Sequence, residues 1–219
     1  MRYTVEKRKT PQPVTADWSA PAWADIPSTR LTHFMGDKPS HFPDTRLKVA
    51  WDAEALYVIF RVVDRFVRAA RMDYQQDVYK DSCVEFFFKP NNDGSRNYFN
   101  LETNCCGTAL FAFQSGPRQG EVRIPANEFT AVSLAHSMDG PIEPEMPEPV
   151  TWTIEYRLPF ALLEKYCRVD PPSPGVAWKG NFYKIADESS HPHYLTWAPV
   201  DRPQPDFHQP DYFGTLVFA

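Results

Sequence analysis

Residues 78–107, VYKDSCVEFFFKPNNDGSRNYFNLETNCCG, contain two runs in which apolar and polar side chains alternate. Alternation with a period of two is typical of β-strands and predicts one strand over residues 82–89 and a second over residues 97–104. Residues 90–94, PNNDG, lie between the two runs and tolerate tight or left-handed backbone. The stretch is therefore predicted to form a β-hairpin.

The register of this hairpin follows from its apolar rows. If both rows face the core, Phe86 pairs with Leu101, and Glu85 then lies opposite Glu102 because side chains alternate across a pleated strand. The other face carries carboxylate, amide, amine and aromatic groups: Glu85, Phe87, Lys89, Tyr98, Asn100, Glu102 and Asn104. A face that meets only water has no need of such a row, so we interpret it as a candidate binding surface.

The composition indicates a globular, strand-rich protein and limits which ligands suit it. A hydrophobic content of 42% with 15% aromatic residues indicates a globular protein, and 219 residues suit a single domain over residues 1–219. The 22 prolines and 9 glycines favour short strands and stiff loops over a helical bundle. The formal net charge of −5 argues against a nucleic-acid partner, which needs a basic surface, and favours a neutral or cationic ligand.

Neither the N-terminal sequence nor the cysteine spacing shows in which cellular compartment the protein is found. No apolar run follows the charged residues 1–9, and no segment is long enough to cross a bilayer. We therefore expect no membrane partner, and a protein that is either cytoplasmic or lacks its leader. The irregular spacing of the cysteines favours reduced structural thiols over a disulfide framework or a metal site. They are Cys83, Cys105, Cys106 and Cys167.

Alternating or β-branched runs recur along the rest of the chain. They predict an N-terminal edge strand, a second hairpin and five further strands, at residues 2–9, 46–51 with 56–64, 108–114, 129–136, 150–157, 176–186 and 213–218. Gly180 marks a bulge within one of them. Residues 160–166 form the one predicted helix, while residues 65–78 and 137–149 are predicted loops. Many short strands without a βαβ order predict an all-β sandwich, immunoglobulin-like or jelly-roll-like, with one short helix.

Three interpretations of the facing pair Glu85 and Glu102 are open. Two carboxylates about 5 Å apart suit a retaining glycoside hydrolase, with one as nucleophile and the other as acid. Alternatively, both accept hydrogen bonds from sugar hydroxyls beside Asn100 and Asn104. The third interpretation is a solvated acidic face, on which the glutamates pair with a nearby lysine or arginine.

Aromatic residues near strand ends are further candidates. Flat rings such as those of Tyr79 and Phe207 stack on the apolar face of a pyranose, although packing in the core explains each of them equally well. His191 and His193 have ligand-like spacing, but the proline between them favours loop histidines over a zinc site. The sequence therefore assigns no metal ligands.

Several segments match one protein family in that family's order. They are Trp18 and Trp23, residues 47–52, residues 55–58, Asp64, residues 81–87, residues 97–107, residues 152–155 with 158–159, and residues 210–216. With this ordered set the chain resembles the family 9 carbohydrate-binding modules, the β-sandwich domains that are attached to xylanases and also occur as free-standing bacterial proteins. The resemblance implies binding of a mono- or oligosaccharide.

The resemblance also implies a site. In this family two tryptophans sandwich a terminal sugar, while a glutamate, an arginine and asparagines bind its hydroxyls. The glutamate corresponds to Glu85, the first aromatic to Tyr79 or the residue before it, and the second to a position near Phe207. Asn100 and Glu102 occupy the arginine and asparagine positions, so neither the tryptophans nor the arginine are kept. The implied ligand-binding residues are Tyr79, Glu85, Asn100, Glu102 and Phe207.

The function implied by the resemblance is non-catalytic sugar binding linked to the degradation of xylan- or cellulose-type polysaccharide. The family's sandwich also holds structural calcium, whose ligands the sequence does not assign. Two alternatives stay open. One is a glycoside hydrolase that uses Glu85 and Glu102, and the other is a non-sugar interaction domain that has kept the sandwich and lost the ligand.

Overall fold

In the computed structural model, residues 1–8 and 13–219 are described, and they form sixteen strands, three one-turn helices and two 3₁₀ turns. The strands are β1 (Arg2–Lys7), β2 (Thr29–Arg30), β3 (His33–Phe34), β4 (Asp44–Trp51), β5 (Ala55–Asp64), β6 (Val67–Ala69), β7 (Cys83–Lys89), β8 (Tyr98–Asn104), β9 (Ala109–Gln114), β10 (Val122–Arg123), β11 (Ser133–His136), β12 (Ile142–Met146), β13 (Val150–Pro159), β14 (Ala177–Ile185), β15 (Tyr194–Thr196) and β16 (Gly214–Phe218). The helices are α1 (Pro21–Ala24), α2 (Ala126–Phe129) and α3 (Phe160–Leu163), and the 3₁₀ turns are Val78–Lys80 and Pro210–Tyr212.

Two sheets pack against each other across one core. The first runs in the order β10–β9–β8–β7–β14–β16–β1 and the second in the order β1–β4–β5–β13–β11. Side chains of the two sheets meet between them, as at the rings of Phe60 on β5 and Phe182 on β14, whose centroids lie 6.0 Å apart. This arrangement confirms the predicted all-β sandwich.

Strand β1 belongs to both sheets. Its residues 2–5 pair with β16 and its residues 6–7 pair with β4, and both pairings are parallel. The prediction of an edge strand was therefore wrong. Periodicity identifies a strand but carries no information on its partners, and here both partners lie far along the chain.

Strands β7 and β8 form the predicted hairpin. Phe86 pairs with Leu101 and Glu85 with Glu102, as the apolar rows predicted. Phe86 is fully buried, and its ring stacks on that of Phe182 with 4.6 Å between centroids. Burying an apolar side chain of this size contributes about 1.5–3 kcal/mol to stability. The core row therefore fixes the direction of the two glutamates, which lie on the opposite face.

The outer face of the hairpin is covered rather than solvated. Phe87 and Tyr98 are buried there in a second apolar cluster with Tyr183, Phe207 and Phe213. The segment that carries Phe207 and Phe213 packs on this face of the sheet. A cleft is left above the paired glutamates.

Three predicted segments differ from the structure. Residues 65–78 and 137–149, predicted to be loops, contain β6 and β12, which pair with each other as a separate two-stranded sheet. The three-residue length of β6 and the proline within β12 give no periodic signal. Residues 129–136 begin at the last residue of the helical turn α2, and only β11 of that segment is a strand. The described residues contain three helices rather than one, because turns of four residues are too short to show a helical period.

Gly180 lies in an uninterrupted ladder and not at a bulge, so that prediction was wrong. It pairs with Phe88 of β7 on one side and with Gly214 of β16 on the other, without a register shift. A Cβ atom on Gly180 would lie 3.1 Å from the Phe86 ring. The glycine therefore makes room for a core aromatic ring.

All four cysteines are free thiols, as predicted. The Sγ atoms of the neighbouring Cys105 and Cys106 lie 3.9 Å apart, well beyond the roughly 2.05 Å of a disulfide bond. Within residues 1–8 and 13–219, no helix is long and apolar enough to cross a membrane.

Candidate ligand-binding cleft

The cleft on the outer face of β7 and β8 has a volume of about 470 Å³. The five residues predicted to bind ligand, Tyr79, Glu85, Asn100, Glu102 and Phe207, all line it. The other lining residues are Asp77, Phe87, Leu110, Arg118, Glu121, Arg123, Ile185, Asp187, Tyr194, Gln204, Pro205, Asp206 and His208. The structure thus brings the predicted residues together and adds a set of charged side chains around them.

Strands supply the floor of the cleft. Glu85 on β7 and Asn100 and Glu102 on β8 alternate with core residues, so the two-residue period of each strand points all three into the cleft. Tyr79 comes from the 3₁₀ turn directly before β7. Phe207 comes from the covering segment before β16. Side chains held on paired strands have little freedom to move, which favours a preformed site.

Two members of the predicted polar row serve the fold instead. The ammonium of Lys89 lies 3.0 Å from Asp93 Oδ1 in the hairpin turn. Asn104 Nδ2 donates a hydrogen bond to Asp81 Oδ2 at 3.0 Å. Both residues lie at the ends of the hairpin, away from its central Glu85–Glu102 pair.

The two candidate aromatics differ in how freely they present a ring. Phe207 is only 6% exposed, and one face of its ring stacks on Tyr183 with 4.0 Å between centroids. Tyr79 is partly exposed, and the ammonium of Lys80 lies 5.9 Å from its ring centroid. Phe207 is therefore a fixed wall of the cleft, while Tyr79 is the more accessible ring.

Glu85 and Glu102 are buried carboxyl groups with few partners. Glu102 Oε1 accepts a hydrogen bond of 3.0 Å from Asn100 Nδ2, whereas Glu102 Oε2 is buried without any hydrogen-bond partner among the described residues. Glu85 is 2% exposed, and its carboxyl group has no hydrogen bond or ion pair with the part of the chain that the structure describes. Buried polar groups are normally satisfied, so these oxygens are free for a ligand.

Burial shapes the protonation of the pair. It raises the pKa of Glu85 well above the usual range, and the facing Glu102 carboxylate raises it further. Burial also raises the pKa of Glu102 to about 7, while the hydrogen bond from Asn100 acts in the opposite direction. Near neutral pH the pair therefore retains a proton, and it offers a ligand both an O–H donor and carboxylate acceptors.

The cationic side chains at the cleft are already paired. The Arg118 guanidinium contacts Asp206 Oδ1 through Nε at 3.1 Å and Nη2 at 2.9 Å. Arg123 Nε lies 2.9 Å from Glu121 Oε1. In contrast, the carboxylate of Asp187 accepts a hydrogen bond from the neutral Tyr194 hydroxyl.

Sequence reasoning missed these loop residues. Arg118 and Arg123 lie in the β9–β10 hairpin, beside β8, and they bring guanidinium groups to the cleft although the second hairpin strand itself has no arginine. The available signal was the Gly- and Pro-containing turn of residues 115–120 directly after β9, which returns the chain across the sheet. Asp187 has no comparable periodic signal.

His208 is a neutral residue of the cleft. The Tyr98 hydroxyl and His208 Nδ1 are 2.7 Å apart, and the ring lies 5.0 Å from that of Phe87. Burial, together with the nearby Arg118, lowers the pKa of His208 to about 4. The imidazole therefore adds no positive charge at pH 7.

The described residues contain no cluster of acidic, histidine or cysteine side chains for a structural metal ion. Across residues 1–8 and 13–219, no group of three or more His, Cys, Asp or Glu side chains is arranged to hold one. The buried carboxylate of Asp64 is satisfied by the Lys184 ammonium, by His41 and by Trp152 Nε1. His193 contacts Lys184 Nζ at 2.8 Å. Its neighbour His191 stacks on the ring of Phe66.

The chain is similar to one known protein family and to several solved structures. The model of carbohydrate-binding family 9 matches residues 23–218. A Bacteroides uniformis protein whose carbohydrate-binding function is itself inferred is 25% identical, with a TM-score of 0.88 over 100% of this chain and 99% of its own. No curated protein sequence matches the chain.

Two further similar structures are of a family 9 carbohydrate-binding module from Caldicellulosiruptor kristjanssonii. The complex with cellotriose is 15% identical, with a TM-score of 0.68 over 100% of this chain and 93% of that one. The complex with glucose is 14% identical, with a TM-score of 0.65 over 100% and 96% of the two chains. These likenesses show a shared fold.

Proposed function

The chain belongs to carbohydrate-binding family 9, and from that premise we propose that its cleft binds a mono- or oligosaccharide without cleaving it. The observation that carries this proposal is the floor of the cleft. There, the under-partnered carboxyl groups of Glu85 and Glu102 lie beside Asn100, in the same cleft as the rings of Tyr79 and Phe207.

This floor has the chemistry that a sugar requires. Neighbouring hydroxyls on a pyranose each donate and accept hydrogen bonds, and a carboxyl pair that retains one proton can do both at once. The aromatic walls suit the apolar C–H faces of the ring. The volume of about 470 Å³ lies within the roughly 300–1,000 Å³ of small-molecule pockets.

The comparisons support a setting for this binding. The Caldicellulosiruptor kristjanssonii module was solved with cellotriose and with glucose, and a gluco-configured sugar is therefore the first candidate. We propose that residues 1–219 act as one binding domain in the degradation of xylan- or cellulose-type polysaccharide, either free-standing in a bacterium or in association with a xylanase.

One observation favours a second candidate. Glu85 and Glu102 are cross-strand neighbours, and a pair that retains one proton supplies the protonated acid and the ionised nucleophile of a retaining glycoside hydrolase. If the protein is a hydrolase, Glu85→Gln and Glu102→Gln each abolish turnover of an aryl glycoside. Absence of turnover by the unmodified protein, with binding retained, rejects this candidate.

Calorimetry with the unmodified protein and two variants tests the binding proposal. Glucose, xylose, cello-oligosaccharides and xylo-oligosaccharides are the probes. We expect Glu85→Ala and Phe207→Ala each to weaken binding at least tenfold, while Glu148→Ala, an exposed glutamate outside the cleft, leaves it unchanged. Thermal melts show whether each variant is folded. Unchanged affinity in both cleft variants would refute the site.

A further inference from the structure

The cleft contains more negative charge than its own cations balance. Its lining includes six carboxyl side chains and two guanidinium groups, those of Arg118 and Arg123. The six are Asp77, Glu85, Glu102, Glu121, Asp187 and Asp206. The hydroxyl groups of a neutral sugar need hydrogen-bond partners but no net charge, so a neutral sugar does not account for such an excess.

Half of these carboxylates already have cationic partners. Asp206 binds Arg118, Glu121 binds Arg123, and Asp77 lies 3.4 Å from the Lys80 ammonium. Among the described residues, Glu85, Glu102 and Asp187 have no ion-pair partner. The carboxyl groups in excess are therefore the pair at the floor of the cleft and Asp187 on its wall.

The floor also has unoccupied acceptor positions. Glu85 is 2% and Glu102 is 5% exposed, and both point into the cleft. Glu102 Oε2 is an unpartnered buried oxygen, and within the described chain no hydrogen bond acts on the Glu85 carboxyl group. These side chains face each other on adjacent strands, with Cβ atoms about 4.5–5.5 Å apart for directly opposed residues. One small donor group with several N–H bonds can reach both.

We infer that the cleft selects a saccharide that carries a free ammonium group, an amino sugar, and that Glu85 and Glu102 together receive that group. This inference rests on the proposed function, because the aromatic walls and Asn100 bind the pyranose while the glutamate pair binds its amine. An ammonium group has three N–H donors and a positive charge, which match the free oxygens and the excess carboxylates.

The same geometry disfavours two related ligands. N-acetylation removes the positive charge and adds volume beside the glutamate pair. A uronic acid brings another carboxylate to a cleft whose guanidinium groups are already bound to Asp206 and Glu121. The preference is therefore for a free amine over a hydroxyl, an acetamide or a carboxylate.

Binding an ammonium group also changes the protonation of the pair. Because both carboxyl groups have raised pKa values without ligand, a bound cation favours their ionised forms and releases a proton to the buffer. Calorimetry in two buffers of different ionisation enthalpy detects that release. A neutral sugar accepts the protonated pair as it stands and releases none.

Matched sugars test the inference directly. The probes are glucose, glucosamine and N-acetylglucosamine, and the corresponding galactose series, each measured by calorimetry with the full chain. In at least one series we expect the free amine to bind at least tenfold more tightly than the hydroxyl form, with proton release. This preference shrinks when salt is raised from about 0.01 M to about 1 M, because screening weakens ion pairs, whereas the affinity for the neutral sugar does not change.

Variants add a second readout. The ratio of the affinity for the amino sugar to the affinity for the neutral sugar falls toward one in Glu102→Gln and falls several-fold in Asp187→Asn. The matched exposed control Glu148→Gln keeps this ratio unchanged. Equal or tighter binding of the neutral sugar in every series overturns the inference and leaves the proposed sugar binding intact. A preference that does not respond to salt also overturns it. If the folded protein binds no sugar of either series or of the cello- and xylo-oligosaccharides, the proposed function itself fails.

Discussion

Two groups of buried ionisable side chains, one around Lys184 and one in the cleft, lie on opposite sides of β14. They differ in whether a cation contacts the buried carboxyl groups. Lys184 and Tyr183 are neighbours on this strand, and Lys184 points toward the core between the sheets while Tyr183 lies beside Glu85 on the cleft side. The Lys184 ammonium lies 3.4 Å from Asp64 Oδ2. The glutamates of the cleft have no such cation.

We call the core group, Asp64, Lys184, His41, His193 and Trp152, the Asp64 cluster. Although burial acts to raise the pKa of Asp64, the Lys184 charge and the hydrogen bond from His41 hold it well below its usual range. At Glu85 and Glu102 the more distant Arg118 charge and, for Glu102, the hydrogen bond from Asn100 do not outweigh burial, so their pKa values rise. A buried carboxylate with a cation supports the fold, whereas one without a cation is available to a ligand.

The two sites therefore affect stability in opposite directions as the pH changes. Asp64 has a lowered folded-state pKa, so its stabilisation is present above its unfolded pKa near 3.8 and is lost as the pH falls through the folded value. Glu102 has a raised pKa, so its cost is absent below 4.5 and is complete above about 7. Four substitutions test this contrast.

The largest effect is expected from Lys184→Met. This change leaves the Asp64 carboxylate buried without its cation, which costs about 3–5 kcal/mol of unfolding free energy. Urea denaturation measures the loss. The double variant Lys184→Met with Asp64→Asn removes both charges and should regain most of it. A single-variant loss below about 1 kcal/mol would show that the cluster is not an ion pair that supports the fold.

Replacing a glutamate of the cleft should increase the free energy of unfolding instead of lowering it. Glu102→Gln removes the cost of ionising a buried group whose pKa is raised from 4.5 to about 7, which is on the order of 3 kcal/mol at about 1.4 kcal/mol per pKa unit. We expect the variant to be more stable than the unmodified protein near pH 8 and nearly equal to it near pH 4, while saccharide binding is weakened. Denaturation across this pH range, with Glu148→Gln as the exposed control, gives the comparison. A variant less stable at the higher pH would contradict the contrast.

His193 offers a smaller test within the Asp64 cluster. Burial and the Lys184 charge lower its pKa well below 6.5, although Asp64 acts in the opposite direction. Folding therefore holds the imidazole neutral, and this costs up to about 1.4 kcal/mol per pH unit as the pH falls below 6.5. His193→Gln keeps an acceptor for Lys184 and should flatten the decline in stability between about pH 6.5 and 5. An unchanged slope in urea denaturation would show that His193 is protonated in the folded state.

The smallest effect on stability is expected at the rim of the cleft. The Arg118 side chain is 64% exposed in its pair with Asp206, and exposed ion pairs contribute about 0–1 kcal/mol. Arg118→Gln should therefore change the melting temperature little, while it increases the negative charge of the cleft and so the preference for an amino sugar. A large loss of stability would mean that the rim pair supports the fold as the Asp64 cluster does.

The hairpin could be predicted because its two apolar rows admit one register. The same alternation places Lys184 of β14 on one face with the core residues Phe182 and Trp178. A lysine at an inward position signals a buried partner, but the sequence does not identify that partner as Asp64.

Other features depend on contacts between distant segments. The central place of β1 requires parallel pairing with β4 and β16, which periodicity does not reveal. Arg118, Asp187 and His208 reach the cleft from the connections between strands, whose paths are set by packing on the outer face of the sheet. The unpartnered oxygen of Glu102 at the floor depends on the positions of all its neighbours in the fold, which the sequence alone does not give.

A carbon-detected NMR titration of the side-chain carboxyl groups tests the contrast between the two sites most directly. We expect Glu102 to titrate with a midpoint near 7 and Glu85 above its ordinary range, with both midpoints moving when the bound saccharide is added. Asp64 should stay ionised to well below its ordinary range, with or without ligand. Glutamate midpoints near 4.5 that do not respond to ligand would contradict the assignment of the unpaired carboxylates as the binding site.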